Sequence, residues 1–175
     1  VPALLRLLLL RLLIPIGCPD NDGDGWSNGD ENWTIMNGSD AFVDEPTQWR
    51  DRDFDGWGDN HSEGAKLVDD FSDNPTQWRD TDGDGWGDNR TYGATQVDDF
   101  PFVNSQYRDT DGDGYGDNFT GFEGDVCVYS TAEEVESGWI SHFDRRGCRD
   151  SDMDGYSDPT NDWISHPAGF ADAFP

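Results

Sequence analysis

Aliphatic residues are scarce in most of this chain. Hydrophobic residues make up 33% of its 175 residues, and much of that share is Trp, Phe and the leucines of residues 1–16. Beyond Cys18 too few aliphatic side chains remain to build a large hydrophobic core. The composition therefore argues against an ordinary globular domain held together by apolar burial.

Basic residues are also few. The chain has 11 Lys plus Arg against 38 acids, which gives a formal net charge of −27. Such a chain repels itself and stays disordered unless counter-ions bind, and its acidity argues against nucleic acid as a partner. If each repeat described below holds roughly two Ca²⁺, about 8–10 ions would reduce the net charge to about −11 to −7. We therefore expect folding and metal binding to be one event.

No arrangement typical of an enzyme is found in the sequence. There is no Ser/His/Asp order, phosphate-binding loop or zinc-ligand spacing, and the three histidines, His61, His142 and His166, are scattered. Carboxylates saturated with calcium are poor general acids. We expect no enzymatic activity.

Only three cysteines occur, at positions 18, 127 and 148. Cys127 and Cys148 bracket a non-repeating stretch, and we predict that they form a disulfide. Closing a loop of about 20 residues would contribute roughly 3 kcal/mol to stability. Cys18 is left over, and it is either free, lipidated or linked to another chain.

What the chain has in abundance is alternating aspartate. The stretch Arg79–Asn89, RDTDGDGWGDN, places acids at loop positions 1, 3 and 5, a glycine at position 6 and a further acid at position 9. An oxygen-rich loop that turns at glycine suits Ca²⁺, which takes about 6–8 oxygens. The predicted side-chain ligands of the five loops are Asp20, Asp22, Asp24 and Asn28; Asp51, Asp53, Asp55 and Asp59; Asp80, Asp82, Asp84 and Asp88; Asp109, Asp111, Asp113 and Asp117; and Asp150, Asp152, Asp154 and Asp158.

The loops recur with a period of about 29 residues, which is typical of a tandem repeat array. Between them, SDAFVDEPTQWRD at 39–51 aligns with VDDFSDNPTQWRD at 68–80 and VDDFPFVNSQYRD at 97–109. We predict that the aligned aspartates close the preceding loop's ion site and that the Phe and Trp residues cluster between repeats. These closing aspartates are Asp40, Asp69 and Asp98, with Asp172 in the matching ADAFP at 171–175.

These tandem DxDxDGxxD loops resemble thrombospondin type 3 repeats over roughly 18–118 and 148–175. The resemblance implies an extracellular, calcium-dependent array with two ions per motif and little regular structure. It further implies that the backbone carbonyls at loop position 7 are ligands, namely those of Trp26, Trp57, Trp86, Tyr115 and Tyr156. Position 4 departs from the family pattern at Phe54 and Met153, and the family's dense cysteine pairing is absent.

Position 12 is acidic only in the first loop, where Glu31 is a predicted ligand. In the next three loops this position is the Ser or Thr of an N-glycosylation sequon beginning at Asn60, Asn89 or Asn118. Asn32 and Asn37 begin two more sequons. We predict N-linked glycans at these five asparagines, and hence a secreted protein with a sugar-coated surface.

Residues 1–16, VPALLRLLLLRLLIPI, are Leu-rich and interrupted only by Arg6 and Arg11. As a helix the segment would be about 24 Å long, which is short for a membrane crossing. A lipoprotein-style signal sequence ending at Gly17-Cys18 is one interpretation. We favour burial against a neighbouring subunit, either as a helix ended by Pro15 or as a donated β-strand.

The predicted fold is therefore an irregular, calcium-stabilised tandem repeat with a short apolar N-terminal segment. We divide it into an assembly or anchor segment at 1–17, four repeats at 18–118, a disulfide-stapled insertion at 119–147 and a fifth repeat at 148–175, whose C-terminal end is open. In the insertion, Ser130 or Thr131 is expected to cap a short helix.

Two functions are consistent with this organisation. The first is an extracellular, glycan-coated structural subunit that associates head to tail through residues 1–16 into a filament or surface layer. The second is a calcium-stiffened adhesin or spacer that is anchored by its N-terminus and binds carbohydrate or another surface protein. Membrane anchoring is the less favoured interpretation.

Overall fold

Regular secondary structure is sparse in the computed structural model, which describes residues 18–163 and 170–175. This part contains a 3₁₀ turn, Ile35–Asn37, and one short helix, α1, Ala132–Ser137. Its only β-pairings are isolated bridges, without a strand. The prediction of an irregular repeat fold is confirmed. The conformation predicted for the N-terminal segment lies outside the described residues, and none of the described helices has the length and apolar character needed to span a membrane.

The chain forms two compact units. One comprises the residues up to Arg79 together with Asn89–Gln96, and the other comprises Asp80–Asp88 together with the residues from Val97 onward. The boundary passes through the third repeat, because its loop belongs to the second unit and the segment after that loop belongs to the first.

Helix α1 begins at one of the two caps that its sequence predicts. Thr131 and Glu134 form a capping box, in which the Glu134 backbone N–H donates to Thr131 Oγ1 (3.3 Å) and the Thr131 N–H donates to Glu134 Oε2 (2.8 Å). Gly138 ends the helix in the left-handed region, at φ 72°. Of the two predicted caps, Ser130 and Thr131, the structure shows Thr131.

The interior of the described part is mostly polar. Its buried hydrophobic residues are Ile140, Cys148 and Ala171, whereas several Asp and Gln side chains are wholly enclosed. Burying polar groups is unfavourable unless each one finds a hydrogen bond or an ion. The fold therefore depends on hydrogen-bond networks and on charge neutralisation rather than on apolar burial.

The aligned segments at 39–51, 68–80 and 97–109, here called linkers, each contain a buried glutamine that clamps the linker to the segment that follows the next loop. Gln77 Nε2 donates to the carbonyl oxygens of Asn89 (2.9 Å) and Thr95 (2.8 Å), and its Oε1 accepts from the Asn89 N–H (2.9 Å). Gln48 and Gln106 make the equivalent bonds in their own repeats. A Cβ on Gly58 would lie 2.1 Å from Gln48 Oε1, so position 8 must be glycine where such a clamp is present.

Stacked aromatic rings join each of the first three loops to the end of its linker. Trp26 stacks on Trp49 and Trp57 on Trp78 in the first unit, with ring centroids 6.0 and 5.9 Å apart. Trp86 stacks on Tyr107 in the second unit at 4.5 Å. Stacked pairs contribute about 0.5–1.5 kcal/mol beyond their buried area. These aromatic contacts pair loop residues with linker residues, and the predicted clustering of Phe with Trp between repeats stays a prediction.

The repeat geometry continues into the range assigned to the insertion. Asp125 N–H donates to the Gly116 oxygen (2.8 Å), as Asp69 N–H does to that of Gly58 (3.0 Å). Two residues further on, Cys127 stands where the earlier linkers have Phe42, Phe71 and Phe100, and it forms the predicted disulfide with Cys148. The fourth linker therefore begins as a normal one, and a covalent bond stands in place of the phenylalanine.

Candidate metal sites

Each of the five loops brings three carboxylates together. Within each loop, one carboxylate oxygen from each of positions 1, 3 and 5 lies within 4.8 Å of the other two. The clustered residues are Asp20, Asp22 and Asp24; Asp51, Asp53 and Asp55; Asp80, Asp82 and Asp84; Asp109, Asp111 and Asp113; and Asp150, Asp152 and Asp154. Like charges at this separation repel, and a divalent cation removes that repulsion.

The first aspartate of each loop shapes the turn. In the third loop, Asp80 Oδ1 accepts from the Gly83 N–H (2.7 Å) and Asp80 Oδ2 from the Gly85 N–H (2.8 Å). The other four loops repeat both bonds with position 4 and position 6. The carboxylate at position 1 therefore fixes the backbone that presents positions 3 and 5.

The aspartate at loop position 5 uses one carboxylate oxygen to accept a backbone hydrogen bond and leaves the other in the candidate metal site. In the first loop, Asp24 Oδ1 accepts from the Trp26 N–H (2.7 Å), whereas Asp24 Oδ2 is buried and accepts no hydrogen bond. The same arrangement of Oδ1 and Oδ2 is found at position 5 in Asp55, Asp84 and Asp113. At position 3, Oδ2 is also buried without a hydrogen bond in Asp22, Asp53 and Asp82. Buried anionic oxygens of this kind are the donors that a hard cation selects.

A closing aspartate from the linker faces each triplet. Asp69 is fully buried, its Oδ1 accepts from the Phe71 N–H (2.7 Å), and its Oδ2 accepts no hydrogen bond. Asp40 and Asp172 follow the same pattern. Asp98 is equally buried, and its Oδ1 accepts from the Phe100 N–H (2.7 Å). The linker thus supplies a fourth carboxylate to a site that the loop builds only in part.

Asp125 closes the fourth loop, and the sequence interpretation missed it. It is 2% exposed, its Oδ1 accepts from the Cys127 N–H (2.7 Å), and its Oδ2 accepts no hydrogen bond. The available signal was an aspartate 12 residues after loop position 5, followed two residues later by the residue that replaces the usual phenylalanine.

Burial and mutual repulsion raise the pKa values of several buried carboxyl groups in these sites. For Asp24 and Asp69, desolvation is the main cause, and repulsion from neighbouring carboxylates raises the pKa further. A hydrogen bond from a backbone N–H lowers the pKa in part, and the resulting value is about 6 for each group. The same causes raise the pKa of Asp98 and Asp125 to about 6 and that of Asp113 to about 7. The metal-free loops therefore resist full ionisation.

The ninth-position side chains lie outside the clustered triplets. Asp117 accepts from the Thr110 N–H (2.9 Å) and Oγ1 (2.6 Å), and Asp158 accepts in the same way from Ser151. Asp59 pairs with Arg50 at 3.2 Å, and Asn28 Oδ1 accepts from the Asn21 N–H (3.2 Å). These contacts stabilise the loop.

The metal-ligand roles predicted for position 9, for the position-7 carbonyls and for Glu31, which is exposed, stay predictions.

The asparagines of the three aligned sequons hold the chain together locally. Asn89 Nδ2 donates to the Thr76 oxygen (2.7 Å), and its Oδ1 accepts from the Thr91 N–H (3.1 Å). Asn60 and Asn118 make the equivalent bonds to residues 47 and 62, and to 105 and 120. These bonds hold the Asn and the residue two positions later in a fixed turn. The need for this turn is a second explanation for why asparagine recurs at these positions. Glycosylation at the five sequons stays a prediction.

The fourth site has an additional wall. A Cβ on Gly147 would lie 1.8 Å from Asp125 Oδ1 and 2.9 Å from Asp113 Oδ2, so the Gly147 backbone closes directly over these carboxylates. Ser130 Oγ donates to the Gly147 oxygen (2.6 Å), and the Ser130 N–H donates to Asp111 Oδ2 (2.7 Å). The disulfide partner Cys148 comes next in the chain. The disulfide and the fourth site are therefore one local structure.

The donor set fits a hard divalent cation: clustered carboxylates, buried oxygens without hydrogen bonds and no thiolate or imidazole among them. Several ions of the Ca²⁺ type would be held by the loop triplets and the closing aspartates. A scan against protein-family models, a search of curated proteins and a search of solved structures each gave no match to this chain.

Proposed function

We propose that this chain is an extracellular calcium-binding glycoprotein with a structural role, built from repeats of the thrombospondin type 3 kind. One observation carries the proposal. Each of the five loops combines a carboxylate triplet with a buried closing aspartate, while the described residues bury few hydrophobic side chains. Calcium supplies the cohesion that a core supplies elsewhere. The carboxylates are committed to cations, so we propose no catalytic role.

The repeated ion sites favour permanent stiffening over calcium sensing. A sensor needs a second packing arrangement that exposes a binding surface when ions bind. Here stacked rings tie the first three loops to their linkers, and the glutamine clamps hold linkers to the segments after the next loop. The described residues also bury few apolar side chains that could become exposed. The disulfide is typical of an oxidising compartment and is consistent with a secreted protein.

The test is removal of calcium from the whole chain. We expect near-ultraviolet circular dichroism from the stacked tryptophans, together with resistance to protease, to be lost in chelator and restored by Ca²⁺. Asp40→Asn should weaken calcium binding, whereas Asp44→Asn, in the same linker but exposed, should leave it unchanged. An unchanged spectrum and unchanged protease resistance without calcium would exclude the proposal.

The assembly that we propose is a filament or surface layer formed head to tail through residues 1–16. Its support is the contrast between that apolar segment and a strongly acidic body bearing sequons. Electron microscopy in calcium should show linear or sheet-like assemblies, and deleting residues 1–16 should abolish them while calcium binding persists. Enzymatic deglycosylation of the secreted chain, followed by mass measurement, tests the glycans.

A second candidate is a calcium-stiffened adhesin or spacer that binds carbohydrate. The observation in its favour is the display of aromatic rings, since Tyr92 is fully exposed and Tyr129 is 82% exposed. Aromatic faces on an acidic, hydrogen-bonding surface suit sugar rings. Under this alternative, deleting residues 1–16 releases the protein from a membrane or cell surface without affecting self-association.

A further inference from the structure

A groove between the first and second repeats is lined largely by apolar side chains. Trp26, Ile35, Met36, Trp49 and Phe54 form much of its surface, and the cavity has a volume of about 460 Å³. Three of these side chains are well exposed, with Ile35 at 41%, Met36 at 78% and Phe54 at 53%. Exposed apolar surface of this kind, on a chain so rich in acid, indicates a binding site.

The groove results from the segment between the first loop and its closing aspartate. Asp24 and Asp40 are 16 residues apart, against 14 for the equivalent pairs in the second and third repeats. The longer segment forms the 3₁₀ turn Ile35–Asn37, which is ended by Gly38 at φ 99°. This turn places Ile35 and Met36 beside the stacked pair of Trp26 and Trp49. The equivalent segments of the next two repeats, SEGAKL and TYGATQ, are mainly polar.

The electrostatics of the groove favour an apolar occupant that carries some positive charge. Arg50 and Arg52 lie along the groove, but each is paired, with Asp59 at 3.2 Å and with Asp73 at 2.9 Å. Neither arginine therefore presents an uncompensated cation. Without ions the chain beyond residue 16 carries a formal net charge of −29, since Arg6 and Arg11 are the only charged residues before it. With about 8–10 bound Ca²⁺ it would still be negative, at about −13 to −9.

Residues 1–16 have this chemistry. They contain eight of the nine leucines in the chain and a charge of +2. The described residues bury few hydrophobic side chains, so they offer no internal core that such a segment could join. Sixteen residues span about 24 Å as a helix and about 53–58 Å when extended, which is enough to reach a neighbouring molecule.

We propose that this groove is the docking site for residues 1–16 of a second copy of this chain. The proposal rests on the self-association proposed above and names the surface that receives the segment. Donor and acceptor are different surfaces of one chain, so the contact is heterologous and leaves a free donor and a free acceptor at the two ends of every open assembly. Such a contact continues into a polymer unless the rotation closes a ring.

The test is cross-linking between two differently substituted full-length chains, both carrying Cys18→Ser. One chain carries Leu8→Cys and the other carries Met36→Cys, and the two are mixed in calcium under mild oxidation. We expect a mixed disulfide dimer, formed at least tenfold more than with a matched acceptor carrying Phe102→Cys. Phe102 is 83% exposed in another repeat. Cys148 is 1% exposed, so the native disulfide should not exchange.

Equal trapping at positions 36 and 102 would overturn the groove as the acceptor. Trapping only within a chain that carries both Leu8→Cys and Met36→Cys would also overturn it, because the segment would then fold back on its own molecule. As a second measurement, Met36→Asp should raise the concentration needed for assembly at least tenfold, and Phe102→Asp should not. An adhesin that captures a saccharide in the groove would show no Leu8 cross-link and would overturn the proposal.

Failure of this inference is distinguishable from failure of the proposed assembly. If filaments form and disappear on deletion of residues 1–16, but Met36→Cys traps nothing, only the acceptor site is wrong. If the deleted chain assembles as well as the full chain does, self-association through residues 1–16 is itself wrong.

Discussion

Two residues hold a backbone conformation that the equivalent loops leave to glycine. At loop position 4, Phe54 has φ 66° and Met153 has φ 65°, while Gly23, Gly83 and Gly112 have φ of 80–81°. A side chain in this left-handed region costs about 1–2 kcal/mol. Both side chains are more than half exposed, so packing does not compensate for that cost.

Met153→Gly should therefore stabilise the calcium-bound protein. Relief of the unfavourable backbone conformation exceeds the extra unfolded-state entropy of glycine, which is about 0.5–1 kcal/mol. We expect the free energy of unfolding in denaturant to rise by about 0.5–1 kcal/mol. Met153→Leu, which keeps the Cβ, is the control and should change little. A decrease in stability for the glycine variant would contradict this explanation.

The sequon asparagines allow glycosylation and turn formation to be separated. Thr91→Ala removes the acceptor motif but keeps both described bonds of Asn89, to the Thr76 oxygen and from the Thr91 N–H. Asn89→Ala removes the motif and the bonds. If the turn matters, Asn89→Ala lowers the free energy of unfolding by about 1–3 kcal/mol, and Thr91→Ala does not. Equal losses in a glycosylated chain would assign the stabilisation to the sugar instead.

At the scale of the repeat, the fourth linker has a disulfide-bonded cysteine where the earlier linkers have phenylalanine. Cys127 occupies the place of Phe71, its N–H binds the closing Asp125, and its partner Cys148 follows the Gly147 wall of the site. The disulfide therefore restrains the two segments that enclose the fourth ion site.

Removing this bond should loosen one loop selectively. For a chain with Cys127→Ser and Cys148→Ser in calcium, we expect faster hydrogen exchange in loop residues 109–117, while residues 80–88 of the third loop serve as the internal control. The total loss in unfolding free energy should be roughly 3 kcal/mol for a loop of this length. Equal acceleration in both loops would mean that the disulfide acts only on global stability.

The sequence predicts the loop triplets well because their geometry is local. Positions 1, 3 and 5 lie within five consecutive residues. The bonds that shape the turn run from a side chain to a backbone N–H only three or five residues away. The buried glutamines were not predicted as clamps, because Gln77 bonds residues 12 and 18 positions later, and no local pattern carries that pairing. Asp125 was missed because the expected phenylalanine beside it is a cysteine.

At the scale of the whole molecule, charge determines when the fold exists. The metal-free fold binds more protons than the unfolded chain, because the pKa is raised for the closing aspartates Asp69, Asp98 and Asp125 and for Asp24 and Asp113 at loop position 5. This contribution to stability is fully present below about pH 4, the pKa of an unfolded carboxyl group, and is lost as the pH rises through about 6–7. Calcium competes with these protons for the same carboxylate oxygens.

Stability should therefore depend on pH in opposite directions with and without calcium. Protein desalted free of metal should gain near-ultraviolet circular dichroism and protease resistance as the pH falls from 7 to 5. Protein at a limiting calcium concentration should lose bound ion and stability over the same range. The measurement is a pair of denaturation series across this window. Parallel trends in the two series would show that the aspartate clusters are not linked to the ion.

The spacing between a loop and its closing aspartate varies, and this variation bears on how such a chain can be altered. From loop position 5 to the closing residue the interval is 16, 14, 14, 12 and 18 residues in the five repeats. Lengthening a flexible loop from 12 to 18 residues costs only roughly 0.4 kcal/mol in closure entropy. The segments between a loop and its closing aspartate are therefore natural grafting points, where a foreign peptide could be inserted and displayed once in each repeat while the ion-binding frame of that repeat stays unchanged.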